Sequence, residues 1–480
     1  MLKRKKLMAI ILGAVMTTSV LLTGCGGSGG GTSSADEPVN LVWYVIGDAP
    51  TDNEIVEEEV NNYIKDKINV TVDIKHVSFG DYTQKMNVLA NSGEPYDMAF
   101  TCSWAFPYLD NSRKGAFLEL NDLIDEYGSD MKKVIDERLW KGAEVDGSIY
   151  AVPNQKEIAG APMWVFDKEL VEKYDIPYEE IHSLQDLEPY LELIKEKEPD
   201  FVPFYTQGDG IPLAGIEDIM SPLGIYYDDE TYTVHNMYET KEMKDMLSKL
   251  REYYEKEYIN QDAAVTNMQS EVKRFVWKAD GQPYAENGWG DSLGREVVTS
   301  AIVPALVTNN STTGAMTAIS ATSEHPEEAM KLINLVNTDA HLRNLLMFGL
   351  EDKHYTKVSE NQINRDLNAN YNVTIWAYGN LFDTFVLDVD PVEKWEGFKE
   401  FNEAAETSPI LGFKFNTEPV VTQISAVNNV LSEFLKPLYT GSIDTEEALT
   451  KLNKKLYDAG LEDIKVEMQN QLNEWVKENK

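Results

Sequence analysis

Three segments near the start of the chain decide the fold. Residues 39–45 read VNLVWYV, residues 70–75 read VTVDIK and residues 96–100 read YDMAF. The first and third are mostly apolar and the second alternates apolar with polar residues, so each predicts a strand. The spacing of apolar residues from Asn53 onward, and again over residues 81–90, predicts two amphipathic helices. The order strand–helix–strand–helix–strand favours an α/β fold, in which helices cover a parallel sheet.

The loops that follow these strands are the first candidate binding sites. In parallel sheets of this kind, ligands bind where strands end and loops begin. The first predicted strand runs into Gly47-Asp48, and the third runs into Thr101-Cys102-Ser103-Trp104.

Length and charge narrow the possible functions. With 480 residues, the chain is expected to form two or more domains of roughly 100–200 residues each. Acidic residues outnumber basic ones by 81 to 43, which gives a formal net charge of −38. Such a surface argues against a nucleic-acid-binding protein, which needs basic side chains to displace counterions from phosphates. It also disfavours docking of the folded surface onto anionic lipid.

The C-terminal third of the sequence is mostly helical in pattern. Pro326 begins an amphipathic helix, and residues 444–447 resemble a capping box at the start of another helix, which continues to Gly460. Residues 464–476 carry apolar residues at helical spacing. We therefore expect a largely helical C-terminal region.

The N-terminus has the pattern of an export signal. Residues 3–6 are basic, residues 7–23 carry no charge and residues 22–25 read LTGC. We interpret residues 1–24 as a signal peptide, because the apolar run is short for a membrane span of about 20 residues. Residues 26–34 read GGSGGGTSS, so residues 25–37 are predicted to be a flexible tether that begins at Cys25.

Several motifs together resemble one known family. The LTGC ending is similar to a bacterial lipobox, in which the cysteine becomes the lipidated first residue. Residues 96–101 (YDMAFT), 146–153 (DGSIYAVP) and 323–331 (SEHPEEAMK) resemble segments of the family 1 solute-binding lipoproteins of bacterial ABC importers. Residues 381–480 resemble a C-terminal domain of unknown function found on Gram-positive members.

The resemblance implies both a fold and a function. The fold would be a type II periplasmic-binding-protein-like fold, with two α/β lobes joined by a hinge. Lobe one would hold residues 38–158 and 305–375, and lobe two would hold residues 159–304 and 376–480. The protein would be a monomer without a cofactor or catalytic activity. Anchored to the outer face of the cell membrane only by lipid on Cys25, it would deliver a sugar or oligosaccharide to the permease subunits of an ABC importer.

A sugar ligand requires flat aromatic side chains for its C–H faces and fixed polar groups for its hydroxyls. We expect Trp43 and Trp164 to lie in the core, because both occur within apolar runs. Trp104 and Trp289 are the strongest ligand candidates, because they lie in predicted loops beside Gly, Ser or Pro. The full set of candidate ligand-binding residues is Tyr44, Asp48, Trp104, Gln155, Glu157, Tyr205, Glu286, Asn287, Trp289 and Trp376.

Other functions compete with this interpretation. Residues 290–294 read GDSLG and match the G-x-S-x-G nucleophile elbow of serine hydrolases, but glycines rather than a strand-forming run precede the motif. A secreted glycosidase would need two carboxylates in a cleft, and a passive surface adhesin would bind glycans without feeding a transporter. A metal site is poorly supported, because the six histidines are scattered without ligand spacing. We expect Cys102 to be a small buried residue.

Overall fold

The structure is a computed structural model, and it describes residues 37–267, 271–366 and 368–480. The predicted signal peptide and Cys25 lie outside these residues. In the described part of the chain, no helix has both the length and the apolar character needed to cross a membrane.

The strands are, in chain order, β1 (Val39–Ile46), β2 (Val70–Val77), β3 (Met98–Thr101), β4 (Glu144–Val145), β5 (Ser148–Ile149), β6 (Ala151–Pro153), β7 (Pro162–Asp167), β8 (Val202–Phe204), β9 (Ile216–Met220), β10 (Leu223–Tyr226), β11 (His235–Asn236), β12 (Arg274–Asp280), β13 (Val297–Ala301), β14 (Leu306–Val307), β15 (Met316–Ile319), β16 (Tyr355–Lys357), β17 (Gln362–Arg365), β18 (Val386–Leu387) and β19 (Glu406–Thr407).

The α-helices are α1 (Asn53–Ile68), α2 (Tyr82–Ser92), α3 (Tyr108–Arg113), α4 (Asn121–Tyr127), α5 (Met131–Val134), α6 (Glu137–Ala143), α7 (Lys168–Tyr174), α8 (Leu184–Lys197), α9 (Lys241–Glu255), α10 (Ala285–Leu293), α11 (Asn309–Thr312), α12 (Pro326–Thr338), α13 (Ala340–Phe348), α14 (Lys394–Ala404), α15 (Val421–Tyr439), α16 (Thr445–Asp458) and α17 (Leu461–Asn479). Short 3₁₀ helices span Tyr178–Glu180, Met237–Glu239, Ile375–Ala377 and Glu418–Val420.

Lobe one is built on a five-stranded sheet with the order β2-β1-β3-β15-β6. Strands β1, β2 and β3 are parallel, as the opening segments of the sequence predict, and α1 and α2 connect them. Strand β15 runs antiparallel to both β3 and β6. The carboxyl ends of β1, β2 and β3 therefore lie at one edge of the sheet, and their loops form a common surface there.

Lobe two is built on a separate four-stranded sheet with the order β13-β7-β12-β8. Its buried apolar side chains form a second hydrophobic cluster, which also includes residues of α15, α16 and α17. The predicted helical C-terminal region is thus part of this lobe. The predicted helix starts are confirmed at Pro326, the first residue of α12, and at Asp444, whose side chain accepts a hydrogen bond from the Glu447 N–H at 2.8 Å.

The two lobes are joined where three chain segments lie side by side. The Gly160 N–H donates to the Leu306 carbonyl at 3.0 Å, and β14 pairs in parallel with β19. The chain therefore crosses between the lobes near residues 160, 306 and 406. Hinges between domains are usually a few residues in loops or at the ends of helices and strands. The short strands β14 and β19 fit this description, so we regard these crossings as the hinge.

The last crossing differs from the predicted boundary. Residues 376–405 were predicted to belong to lobe two, but Ala377, Phe382, Trp395 and Phe398 are buried in the hydrophobic cluster of lobe one. Buried Arg343 of α13 holds this segment, because its guanidinium donates to the Phe382 carbonyl at 3.1 Å. The chain enters lobe two only after β19: Ile410 belongs to the second cluster, Leu411 still packs in the first, and Phe413 and Phe415 again belong to the second.

Candidate functional site

A cavity of about 520 Å³ lies between the lobes next to the hinge; we call it the aromatic cleft. Lobe one lines it with Trp104, Glu157 and Trp376, among others. The hinge and lobe two line it with Gly160 and with residues 280–282. Because both lobes contribute walls, a molecule held here would contact both of them.

Lobe one presents Trp104 and Trp376 to this cleft, and the rings of Phe79 and Phe100 pack against them. The Trp104 ring stacks on the Phe79 ring, with centroids 6.4 Å apart and planes inclined by 13°. The Trp376 ring meets the Trp104 ring edge-on at 6.0 Å, and the Phe100 ring lies beneath both. Phe79 and Trp104 are 51% and 53% exposed, respectively. Exposed, ordered aromatic faces of this kind offer apolar area at little entropic cost.

The loop that carries Trp104 is held rigidly by hydrogen bonds on either side of the indole. The Ser103 N–H donates to the Thr313 carbonyl at 2.8 Å, and the Thr101 hydroxyl donates to the Phe106 carbonyl at 2.6 Å. Phe106 has a positive φ of 44° while being completely buried, a strained conformation for a bulky residue. This turn directs its neighbours inward and leaves Trp104 at the surface.

Lobe two supplies a second aromatic wall at the end of β12. Trp289 of α10 packs against Gly281, where an added Cβ would lie 2.6 Å from the indole. A side chain at position 281 would therefore displace the Trp289 ring. Trp289 lines a pocket of about 400 Å³ together with Trp277, Lys278 and Asp280; we call it the lobe-two pocket. It shares Asp280 with the aromatic cleft, so the two cavities adjoin.

Of the predicted ligand-binding residues, Trp104, Glu157 and Trp376 line the aromatic cleft and Trp289 lines the lobe-two pocket. Asp48 is exposed in the loop after β1. Its neighbour Gly47 lies against Thr374, just before the 3₁₀ turn that carries Trp376, so Asp48 lies near the rim of the cleft.

Three other predicted residues have structural roles instead. Tyr44 lies within β1, and its ring packs edge-on against Tyr96 at 5.8 Å. The Gln155 side-chain oxygen accepts a hydrogen bond from the Asp136 N–H at 2.7 Å, so this amide fixes the start of α6. Tyr205 is 2% exposed and lines neither the aromatic cleft nor the lobe-two pocket.

The predicted Gly-rich loop around Trp289 is the helix α10. Burial and the neighbouring Glu179 raise the pKa of the Tyr178 phenol, and Glu286 of this helix adds a smaller contribution. Asn287 donates through its side-chain amide to Asp390 of lobe one at 2.9 Å. Asn287 thus forms a contact between the lobes, and neither Glu286 nor Asn287 lines the aromatic cleft or the lobe-two pocket.

The G-x-S-x-G motif is not a nucleophile elbow. Its residues 290–294 form the last turn and the end of α10, and no strand leads into them. The Ser292 hydroxyl donates back to the Gly288 carbonyl at 3.0 Å, a bond typical of a serine inside a helix.

Phe79, Lys278 and Asp280 lie at or beside these cavities and were not among the predicted residues. Phe79 follows β2 between Ser78 and Gly80, so its position after a predicted strand was a usable signal. Lys278 and Asp280 end β12 and form an ion pair at 2.7 Å. Their role was not visible because β12 lies between β7 and β8, which come much earlier in the chain.

The two tryptophans predicted to be core residues are indeed buried. Trp43 is 3% exposed and meets Tyr378 edge-on at 5.4 Å, and Trp164 is completely buried. Cys102 is buried as predicted, and burial raises the pKa of its thiol to about 11. Among the residues that the structure describes, no group of three or more His, Cys, Asp or Glu side chains could hold a metal ion.

A second cavity between the lobes, of about 540 Å³, is lined by Asn309, Glu217 and Lys414 among others. Glu217 is 5% exposed and accepts a hydrogen bond from the Ser408 hydroxyl at 2.5 Å, directly after the hinge strand β19. Burial raises the pKa of Glu217 to about 7, with a further contribution from Asp218. This cavity has no tryptophan in its wall, so we regard the aromatic cleft as the better carbohydrate site.

The pKa of Glu217 predicts a pH-dependent stability. Between about pH 4.5 and pH 7, the folded protein retains a proton that the unfolded chain releases, so this group makes the fold less stable as the pH rises. We expect Glu217→Gln to unfold at a higher temperature than the unmodified protein at pH 8 but not at pH 4.5, with a stabilisation of about 3 kcal/mol at pH 8. Thermal unfolding at both pH values measures this. Exposed Glu296→Gln is the control, and an equal shift at both pH values would contradict the assignment.

Comparison with known proteins identifies the family. The model of the bacterial extracellular solute-binding protein family matches residues 47–341, and the domain of unknown function DUF3502 matches residues 409–477. Together with the two lobes, the hinge and the cleft between them, the first match defines a class of protein. The chain belongs to the bacterial extracellular solute-binding protein family.

Its relatives include characterised transport proteins. It is 32% identical to a carbohydrate ABC transporter substrate-binding protein of Streptococcus pneumoniae serotype 4 (strain ATCC BAA-334 / TIGR4), over all of both chains. It superposes on the N-glycan transport solute-binding protein NgtS of S. pneumoniae with a TM-score of 0.86 and 32% identity, over 92% of this chain and 100% of that one. The complex of NgtS with Man1GlcNAc superposes with a TM-score of 0.76 and 31% identity, over 91% of this chain and 99% of that one. The complex with Man5GlcNAc superposes with a TM-score of 0.73 and 31% identity, over 92% of this chain and 99% of that one.

Proposed function

We propose that this protein captures a sugar or oligosaccharide between its two lobes and delivers it intact to the permease subunits of an ABC importer. The observation that carries the proposal is the exposed aromatic group of lobe one, which faces polar residues of lobe two across the aromatic cleft. The glycan complexes of the S. pneumoniae relative support the same ligand class.

Trp104, Trp376 and Phe79 would stack on sugar faces from lobe one, and Trp289 would do so from lobe two. Glu157 and Asp280 would accept hydrogen bonds from sugar hydroxyls, with Asp48 contributing at the rim. A sugar ring pairs apolar C–H faces with hydroxyl edges, so this mixture of flat rings and carboxylates matches both parts.

Ligand binding would close the lobes around the hinge. A ligand that bridges both walls stabilises the closed form because it gains its full set of contacts only there.

The mature protein would work outside the cell, as a monomer held at the outer face of the cell membrane by lipid on Cys25. Residues 26–34 would serve as a flexible tether between the anchor and the folded lobes. The acidic composition supports this arrangement: the full sequence has a net charge of −38, and loss of residues 1–24 would remove four positive charges, so the mature protein would be repelled by anionic lipid.

Capture from a mixture tests the proposal. The purified protein is incubated with a mixed oligosaccharide library, washed and denatured, and the released ligands are identified by mass spectrometry. We expect a defined set of oligosaccharides, recovered with unchanged masses. Cleaved products would instead support a glycosidase, and the absence of any bound carbohydrate would overturn the proposed function.

A further inference from the structure

The cations that line the proposed site already have partners. In the aromatic cleft these cations are Lys156 and Lys394. The Lys156 ammonium pairs with the Glu157 carboxylate, and the Lys394 ammonium pairs with Asp390 at 2.6 Å. All four side chains are at most 23% exposed, so these pairs are partly desolvated and hold their geometry better than surface pairs do.

The cations of the lobe-two pocket are Lys278 and Arg274, and each has a partner, although the carboxylate that pairs with Lys278 is 71% exposed. The Lys278 ammonium lies 2.7 Å from the Asp280 carboxylate. The Arg274 guanidinium stacks over the Tyr205 ring at 4.1 Å, and its Nε donates to the Val272 carbonyl at 3.1 Å. The same pocket also contains the carboxylate of Asp209, which is exposed.

These paired charges favour the binding of sugar hydroxyls over the binding of sugar carboxylates. A sugar hydroxyl can donate to the free lone pairs of Glu157 or Asp280 and accept from the remaining N–H groups of a paired lysine. A carboxylate on a sugar would have to lose water without gaining a cation of its own, and it would lie beside existing carboxylates. The strongly negative charge of the whole protein adds a repulsion at longer range.

We infer that the site selects uncharged oligosaccharides and excludes glycans that carry uronic or sialic acid, an inference that rests on the proposed function. The paired lysines are the specificity-determining groups. The carboxylate partners occupy the positions beside the lysines from which an acidic sugar would be bound. The paired groups can then offer only hydrogen bonds, which suit neutral sugars.

The test uses glycans released from serum glycoproteins, a mixture that contains both neutral and sialylated species. We expect the unmodified protein to retain neutral glycans, with sialylated species depleted at least tenfold relative to the input. Retention of sialylated glycans in their input proportion would overturn the inference while leaving the proposed function intact. Retention of no glycan would overturn both.

Two variants test the cause of the selectivity. Asp280→Asn leaves Lys278 without its carboxylate, and Glu157→Gln does the same for Lys156, with little change in shape. In each variant the freed ammonium can donate a charge-assisted hydrogen bond to the carboxylate of a sialylated glycan. The ratio of sialylated to neutral glycans retained by the protein should therefore rise about tenfold. Glu296→Gln is the matched control, because it frees Lys168 from a 3.0 Å pair that lines neither cavity. An equal change in all three variants would contradict the assignment.

Discussion

Trp104→Ala is expected to lower the affinity for the captured oligosaccharide about 30-fold, while leaving the fold intact. Its indole is 53% exposed at the wall of the aromatic cleft, so truncation removes ligand contact area rather than core packing. Loss of one aromatic anchor from a binding site typically costs about 2 kcal/mol, which corresponds to this factor. Isothermal titration calorimetry measures the affinity, and the thermal unfolding midpoint verifies the fold.

Trp289→Ala on lobe two should weaken binding by a similar factor. It lines the adjoining lobe-two pocket, so its loss removes the opposite wall. Tyr457→Ala is a suitable control, because Tyr457 is an exposed aromatic residue of α16 that lines neither cavity. Its hydroxyl donates to the Glu239 carboxylate. Unchanged affinity in both tryptophan variants would refute the assignment of the site.

Cys25→Ala is expected to abolish anchoring to the membrane. Each buried methylene of an acyl chain contributes about 0.8 kcal/mol, and stable anchoring requires more than one chain, so removal of the acceptor thiol should release the protein into the medium. Growth with labelled palmitate, followed by fractionation, measures both effects. We expect label on the membrane-bound unmodified protein and no label on the variant.

The second cysteine provides a matched control. Cys102 is completely buried, and burial raises the pKa of its thiol, so it cannot accept lipid in the folded protein. Cys102→Ala should therefore retain both label and membrane association. Label on Cys25→Ala would contradict the interpretation of residues 22–25 as a lipidation motif.

The alternation of apolar and polar residues was sufficient to predict the first half of lobe one. Strands β1, β2 and β3 and the helices between them follow from local periodicity. The position of Trp104 in a loop beyond β3 follows from the same pattern, because the carboxyl ends of parallel strands form the binding edge of a sheet.

Helix α10 was predicted to be a Gly-rich loop, because its local sequence does not favour a helix. Gly288 and Gly290 lower its helix propensity, yet the segment is helical because β13 and lobe one pack around it. Gly290 in particular lies against the Arg295 carbonyl, which leaves no space for a Cβ. The bond from the Asn287 amide to Asp390 of lobe one, at 2.9 Å, comes from a residue about 100 positions away, which the local pattern does not include.

The roles of Gln155 and Tyr205 could not be predicted for a related reason. Both follow a strand in the sequence, as ligand-binding residues often do. Gln155, however, finds its partner in the Asp136 N–H, and the Tyr205 hydroxyl donates to the Asn267 carbonyl at 3.2 Å. Whether a polar side chain is free for a ligand depends on such tertiary partners. The assignment of residues 376–405 to lobe one likewise depends on the buried contact of Arg343 with Phe382.

Small-angle X-ray scattering with and without the captured oligosaccharide tests the central claim most directly. If the lobes close on a carbohydrate that bridges them, the radius of gyration should fall on titration and level off at one ligand per chain. Trp289→Ala should blunt this change even at saturating ligand, because one wall of the site is lost. Saturable binding with an unchanged radius of gyration would contradict the account and favour a passive adhesin.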